Sequence, residues 1–323
     1  MRRLPFVLLA LCVTLDAQQV FRSSVDGVII PVSVRTGNKA ITGLKAADFE
    51  LRDNGVLQEI REAESEKVPI DLTLLLDLST SVDGPLLQRL KTAVVDTAGL
   101  LRDDDRIRLV AVSQVLHEVF GFTSRGATLS LDGLSAQGAT SLYDGLATTM
   151  MRIGEPGRRQ LIVAYTDGRD STSIIDESGV RAVAELTEAV VDIVVPVGAS
   201  REVTRRLAQP RSGVDSLAGA ANVTINGQGP AAVTAGGIPA VLTTIVAPTA
   251  GQVFPLAPDT SISKTFKAML DDFRSTYVLQ YVPQGVDPHG WHDVEVSLKK
   301  RGKFEIKARK GYRGRGTIPS GEE

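Results

Sequence analysis

The chain has 323 residues, which suggests about two domains. Hydrophobic residues make up 43% and charged residues 23%, so a packed core can form and a disordered or fibrous protein is excluded. The 36 Lys and Arg residues nearly balance the 38 Asp and Glu residues, and aromatic residues make up 5%. Because it has neither an excess of positive charge nor many stacking side chains, we expect no nucleic-acid partner.

Residues 1–17 have the pattern of a secretory signal peptide. Arg2 and Arg3 give a positively charged start, an apolar stretch follows, and Ala17 ends a passable cleavage site. The alternative is a buried N-terminal helix. Neither this stretch nor any later one is long enough to span a bilayer, so we expect a periplasmic or secreted protein without a transmembrane segment. Cleavage would remove Cys12, the only cysteine, and leave a mature chain without disulfides.

The first flank of the chain, residues 18–67, has β character. Ile30, Val32 and Val34 alternate with polar or exposed positions, as in a half-buried strand. The segment Asp53-Asn54-Gly55 lies between two apolar runs and predicts a hairpin, because a type I′ turn needs positive φ at both central residues.

The last flank, residues 276–314, repeats this β character. Two alternating runs are separated by the polar segment 299–303, which we expect to be a hairpin turn. Neither flank alone has enough strands for a stable sheet. We therefore expect both flanks to pair into one small β-sandwich, with the central region inserted between them, and residues 315–323 to form a disordered tail.

The central region, residues 68–275, alternates short apolar runs with amphipathic helices. This order predicts an α/β domain with a doubly wound, mostly parallel sheet. The segment 201–237 interrupts the pattern and predicts a flexible insertion. The predicted strands are Leu72–Leu76, Ile107–Val112, Gln160–Tyr165, Val190–Val197 and Gln252–Leu256. The predicted helical stripes are Leu86, Leu90, Val94 and Leu101; Leu142, Leu146, Met150 and Ile153; and Ile262, Phe266, Met269, Leu270 and Phe273.

Carboxylates and hydroxyls follow the predicted strands. Asp77, Ser79 and Ser81 come after the first strand, Thr140 precedes a helix, and Asp167 follows a third strand. The carboxyl ends of parallel strands meet at one edge of a doubly wound sheet, which predicts that these side chains converge. Hard oxygen ligands of this kind suit Mg²⁺, with Mn²⁺ or Ca²⁺ as alternatives. Two carboxylates would leave such a site roughly neutral, with a vacant position for an outside ligand.

The set of five residues resembles the metal-ion-dependent adhesion site of a von Willebrand factor type A (VWA) domain, Asp-x-Ser-x-Ser followed by Thr and then Asp. The resemblance covers about residues 68–275. Segments 43–50, 273–279 and 308–312 are also similar to the flanks of a bacterial family of VWA-related proteins first described from Acidobacteria.

This resemblance implies a role for each site residue. Ser79 and Ser81 would bind the cation directly, Thr140 directly or through water, and Asp77 and Asp167 through bridging waters. The open position would accept an Asp or Glu carboxylate of a partner protein. Family members that switch shape move the last helix of the domain. The resemblance thus implies a non-enzymatic protein-binding or adhesion module.

The same residues leave two other function classes open. One is a structural scaffold whose metal only steadies the loops. The other is a Mg²⁺-dependent phosphatase of the haloacid dehalogenase type, with Asp77 as nucleophile and Asp167 and Asp170 as late carboxylates. That chemistry needs a second carboxylate two residues after the nucleophile, and Ser79 occupies the position.

Two further polar segments are expected to be solvated. The segment His289-Gly290-Trp291-His292 is expected to be a solvated turn ahead of a strand. A zinc site there would need further ligands, which the sequence does not offer. Asp103-Asp104-Asp105 follows a predicted helix and indicates a loop in water, with a second cation site as the alternative.

Overall fold

The structure is a computed structural model that describes residues 27–37, 39–65, 67–197 and 238–315. The predicted signal peptide 1–17 and the predicted insertion 201–237 lie outside these residues. So does the predicted tail except for its first residue, which ends the last strand. Among the described helices, none combines the length and the apolar character needed to span a bilayer.

The central domain is built on a six-stranded sheet. The order of its strands is β11-β10-β9-β6-β7-β8, with every neighbouring pair parallel except β7 and β8, which are antiparallel. All eight residues of the inner strand β6 are buried, which explains its near-continuous apolar sequence. The strands are β6 (Ile70–Asp77), β7 (Arg106–Val112), β8 (Leu116–Ser124), β9 (Arg159–Tyr165), β10 (Val190–Pro196) and β11 (Val253–Leu256).

Helices cover both faces of this sheet. One face packs on α1 and α5, and the other on α2, α3 and α4. Side-chain caps begin two of these helices, where Ser261 Oγ accepts the Lys264 N–H and Asp176 Oδ1 accepts the Gly179 N–H. The helices are α1 (Pro85–Gly99), α2 (Leu142–Met150), α3 (Glu177–Leu186), α4 (Ala240–Val246) and α5 (Ile262–Ser275). The described chain therefore has a mixed α/β fold.

Strands from both flanks form two antiparallel sheets around a second core. One sheet has the order β14-β1-β12-β5 with β2 on β1, and the other has the order β15-β13-β3-β4. Val278 of β12 pairs with Glu64 of β5, so the chain enters and leaves the central domain at adjacent positions. The strands are β1 (Val28–Thr36), β2 (Lys39–Ala40), β3 (Phe49–Asp53), β4 (Val56–Gln58), β5 (Ile60–Glu64), β12 (Tyr277–Tyr281), β13 (His289–Leu298), β14 (Glu305–Ala308) and β15 (Gly311–Arg315).

One predicted turn of the flanks is confirmed and the other is wrong. Asn54 and Gly55 have φ values of 46° and 79° and join β3 to its antiparallel neighbour β4, as a type I′ turn requires. The polar segment 299–303 is not a hairpin turn, because β13 pairs with β3 whereas β14 pairs with β1 in the other sheet. It instead carries the chain from one sheet to the other.

The prediction that the apolar stripe of α2 extends to Ile153 is also wrong. The helix α2 stops at Met150, and Ile153 is 93% exposed in the loop that follows. Strand β8 and helices α3 and α4 were not among the predicted elements. Strand β8 is a largely exposed edge strand, and α3 buries only Val180 and Ala184.

The expectation that Asp103–Asp105 is solvated is wrong for Asp105, which is 1% exposed. Its carboxylate accepts the backbone N–H groups of Ile70 and Arg102, at 2.9 Å each, and pairs with Arg274 at 2.7 Å. Asp105 thus joins the start of β6 to the last turn of α5.

The expectation of a solvated turn is likewise wrong for His292, which lies within β13 and is 1% exposed. Its Nδ1 lies 2.8 Å from a carboxylate oxygen of Asp53, and the hydroxyls of Tyr281 and Tyr312 donate to the other oxygen at 2.8 and 2.7 Å. Because Asp53 is in the first flank and the other three residues are in the last, this buried network holds the two flanks together.

A buried carboxylate also lies where the flanking sheets meet the central domain. Asp192 of β10 is 7% exposed and accepts the Gln252 N–H at 2.8 Å. Together with Lys307 of β14 and Asp272 of α5, it lines a small cavity between the two units. Burial, opposed by Lys307 and reinforced by the charge of Asp272, raises the pKa of Asp192 to about 7. Asp272 itself is ion-paired with Arg35 of β1.

We predict that Asp192→Asn changes how stability depends on pH. A carboxyl group whose pKa is higher in the folded than in the unfolded chain stabilises the fold at low pH, and this contribution falls as the pH rises through about 4 to 7. The free energy of unfolding of the variant minus that of wild type should therefore be higher at about pH 8 than at about pH 4. It should rise by about 2–4 kcal/mol between these two pH values, at 1.36 kcal/mol per pKa unit. Urea unfolding of both proteins across this range measures it.

The matched control is Asp259→Asn, which removes a carboxylate that is exposed to solvent. Its stability should stay within about 0.5 kcal/mol of wild type. A difference between Asp192→Asn and wild type that does not change with pH would contradict the prediction.

Candidate functional site

The carboxylate of Asp77 is the centre of the candidate site. Asp77 is the last residue of β6 and is 1% exposed. Its Oδ1 accepts the Ser79 N–H at 3.0 Å and the Thr140 hydroxyl at 3.1 Å. Its Oδ2 accepts the Thr166 hydroxyl at 2.8 Å. One buried carboxylate therefore contacts three loops at the carboxyl edge of the sheet.

The two serines of the predicted set lie beside each other. The Oγ atoms of Ser79 and Ser81 are 2.9 Å apart, and the 3₁₀ turn Thr80–Val82 brings Ser81 back toward the strand end. Ser79 is buried at 8% exposure, whereas Ser81 is exposed. The two hydroxyl oxygens thus extend from the buried carboxylate toward the surface.

The loop that carries Thr140 is fixed to the loop of the serines by backbone hydrogen bonds. The Gln137 N–H donates to the Leu78 carbonyl at 2.8 Å, and the Thr80 N–H donates to the Gly138 carbonyl at 3.4 Å. Gly138 has a φ of 75°, and a Cβ there would lie 3.1 Å from the Gln114 side chain. The positive φ therefore makes this position favour glycine.

Asp167 lies at the rim of the site. Its side chain is 20% exposed, its Oδ1 accepts the Arg169 N–H at 3.0 Å, and its Oδ2 lies 3.9 Å from Arg169 Nε. No direct hydrogen bond joins it to the other four predicted residues in the part of the chain that the structure describes. Its negative charge nevertheless contributes to raising the pKa of Asp77. The structure therefore places Asp77, Ser79, Ser81 and Thr140 in one hydrogen-bonded group, with Asp167 beside them.

Thr166 is a site residue that the sequence reasoning did not assign. It is completely buried, donates to Asp77 and accepts the Gly168 N–H at 2.9 Å. Through this residue the loop of Asp167 is tied to the end of β6. The available signal was its position, a hydroxyl directly after the apolar strand β9.

The electrostatics of Asp77 are unusual for a buried carboxylate. Burial raises its pKa, the hydrogen bonds from Thr166 and from the Ser79 N–H lower it, and the charge of Asp167 raises it again. None of the ion pairs within the described ranges includes Asp77. A buried carboxylate surrounded by hydroxyls, without a cationic side chain, is an environment in which a divalent cation fits.

The chemistry of the donors also suits a hard cation. Across the described ranges, no three His, Cys, Asp or Glu side chains are grouped as metal ligands. A cation at this edge would therefore depend on hydroxyl oxygens in addition to Asp77 and Asp167. Mg²⁺ accepts such oxygen ligands and usually retains several waters, whereas Zn²⁺ prefers nitrogen and sulfur.

Comparison with known sequences gives a partial match. No family model matches the chain. A segment of 110 residues is 29% identical to an uncharacterized protein from Synechocystis, and the match covers 32% of this chain and 26% of that protein. The similarity thus spans about a quarter of the relative's length.

Comparison with solved structures gives similarities at low sequence identity. A von Willebrand factor type A protein from Catenulispora acidiphila has a TM-score of 0.48 and 13% identity, with 87% of this chain and 75% of that chain covered. BatB from Bacteroides thetaiotaomicron has a TM-score of 0.41 and 14% identity, with 63% and 96% covered. The PilB minor pilin from Streptococcus sanguinis has a TM-score of 0.43 and 13% identity, with 64% and 62% covered. Because these TM-scores lie below 0.5, the matches do not establish a family.

We predict that Thr166→Val destabilises the protein by about 1–3 kcal/mol, because it leaves an oxygen of the buried Asp77 carboxylate without its hydroxyl donor. Urea unfolding in the presence of a chelator measures the effect on the metal-free protein.

The control for this substitution is Thr92→Val, which removes an exposed hydroxyl that bonds only to the Gln88 carbonyl of its own helix. It should change stability by less than about 0.5 kcal/mol. Equal stability of Thr166→Val and wild type would show that the fold does not depend on this contact.

Proposed function

We propose that this chain is a VWA-type protein-binding module without enzymatic activity. In this proposal Asp77, Ser79, Ser81, Thr140 and Asp167 hold one Mg²⁺, with Mn²⁺ or Ca²⁺ as substitutes, and the site captures an Asp or Glu carboxylate of a partner protein. The observation that carries the proposal is the buried Asp77 carboxylate, which is surrounded by hydroxyl groups and lacks a cationic side chain.

The residues of this chain have different roles in such a site. Asp77 supplies buried negative charge and holds Thr140 and Thr166 in place through its two oxygens. Ser79 and Ser81 present adjacent hydroxyl oxygens without adding charge. A bound divalent cation supplies positive charge with a free position for an anionic oxygen. Asp167 would add a second negative charge at the partly exposed rim.

The hydroxyl at Ser79 argues against the phosphatase alternative. A general acid for the leaving group is needed two residues after the nucleophile, and the Ser79 hydroxyl there lies against Ser81 instead. We also propose, from the pattern of residues 1–17 alone, that the protein is exported to the periplasm or secreted. Membership of the bacterial VWA-related family first described from Acidobacteria is part of the same proposal and rests on the segments that flank the domain.

We predict that the wild-type protein binds one Mg²⁺ per chain in calorimetric titration, and that Ser79→Ala with Ser81→Ala weakens this binding by at least about 10-fold. Asp77→Ala should abolish it. The matched control is Asp83→Ala, since Asp83 is an exposed carboxylate of the following turn that bonds only to the Gly84 N–H. No heat of Mg²⁺ or Mn²⁺ binding by the folded wild-type protein would refute the proposal.

A second experiment distinguishes a binding module from a structural scaffold. Immobilised wild type and Asp83→Ala should capture the same envelope protein in Mg²⁺ and release it in EDTA, whereas the double serine variant should not capture it. If the double serine variant loses thermal stabilisation by Mg²⁺ but captures the protein as well as wild type does, the metal only steadies the loops and the scaffold alternative is correct.

A further inference from the structure

The loop after Asp167 is folded around the start of α2. The carbonyl of Thr140 accepts the N–H groups of Ser171 and Thr172, at 2.8 and 3.2 Å. The hydroxyls of Ser141 and Thr172 lie 2.8 Å apart. Two predicted site residues on separate loops, Thr140 and Asp167, are therefore connected through the segment 170–175.

Two carboxylates, one from the loop and one from α2, add hydrogen bonds to this connection. Asp170 of the loop accepts the Tyr143 N–H of α2 at 3.1 Å. Asp144 of α2 accepts the N–H groups of Ile174 and Ile175 of the loop, at 2.9 and 3.1 Å. Each segment thus supplies a carboxylate that satisfies backbone donors of the other.

The hydroxyl of Ser173 joins the Asp170 carboxylate to the backbone of Asp144. It donates to Asp170 Oδ1 at 2.5 Å and accepts the Asp144 N–H at 3.1 Å. Asp144 is in the first turn of its helix, where a carboxylate commonly serves the N–H groups of that helix. Here the Asp144 oxygens accept N–H groups of the neighbouring loop, so the bonds fix the loop to the helix.

We propose that Asp144 and Asp170 are positioning residues of the metal site, which hold the loop of Asp167 at a fixed spacing from Thr140. This inference rests on the proposed function, because it concerns the same site. Neither carboxylate is among the five proposed metal-holding residues. Their contribution is preorganisation, since a loop that is already ordered loses less conformational freedom when the cation binds.

The test measures Mg²⁺ affinity, thermal stability and amide hydrogen exchange on the same full-length variants. We predict that Asp144→Asn and Asp170→Asn each weaken Mg²⁺ binding by about 10-fold or more, as for other residues that orient metal ligands. In the metal-free proteins, the Ile174 and Ile175 amides should exchange faster in Asp144→Asn, and the Tyr143 amide faster in Asp170→Asn. A purely structural role would lower the melting temperature without changing the affinity.

Two further variants separate position from charge. Asp176→Asn removes a nearby carboxylate that caps α3 through the Gly179 N–H, and it should keep Mg²⁺ affinity within about 2-fold. Ser173→Ala keeps every charge but breaks the link between the Asp170 carboxylate and the Asp144 N–H, and it should weaken Mg²⁺ binding. Normal affinity in Ser173→Ala together with weak binding in Asp176→Asn would show that only long-range charge matters, and would overturn the inference.

The wild-type titration distinguishes this failure from that of the proposed function. If wild type binds Mg²⁺ and both aspartate variants bind it equally well, the positioning role is wrong and the metal site stands. If wild type binds no Mg²⁺, both are wrong. Should an aspartate variant fail to fold, Ser173→Ala decides, because it removes no buried charge and leaves both carboxylates in place.

Discussion

A carboxylate that is buried without a positive partner is costly, and Asp77 is such a carboxylate at the end of an entirely buried strand. It can stay there because three loops supply donors to it, namely the Ser79 N–H, the Thr140 hydroxyl and the Thr166 hydroxyl. The same contacts help to determine how these loops lie, so the positions of Ser79, Thr140 and Thr166 depend on one ionisable group.

Polar contacts join the loops to one another and to α2. The segment 170–175 is bound to α2 through Asp144 and Asp170, and the loop of Thr140 is bound to the loop of the serines through backbone bonds. Beneath them, the sheet packs its two apolar faces on helices and provides a rigid base. The oxygen atoms of the site are thus carried by loops that are bonded to one another and to α2, above a sheet that is packed on both faces.

Local sequence patterns predicted those features of the fold that depend on neighbouring residues. The Asn54-Gly55 turn follows from backbone conformation, and the buried strand that ends at Asp77 follows from its apolar run. Particular side-chain pairs between distant segments were not predictable in this way. Asp105 and His292 look like ordinary solvated residues until Arg274 and Asp53, at 169 and 239 positions' distance along the chain, are placed beside them. Asp144 and Asp170 were overlooked as a pair for the same reason, since an Asp in a first helical turn or in a polar loop is common.

The pairing of β5 with β12 has a mechanical consequence. These strands are the last before and the first after the central domain, and they are hydrogen-bonded to each other from Glu64 and Val278 onward. Tension that pulls the two flanking segments apart therefore acts at the open end of that ladder, and the ladder must unzip from Ile60 and Tyr281 toward Glu64 and Val278 before the tension reaches the inserted domain. The oxygen-lined edge can keep its geometry under load for as long as this short ladder holds.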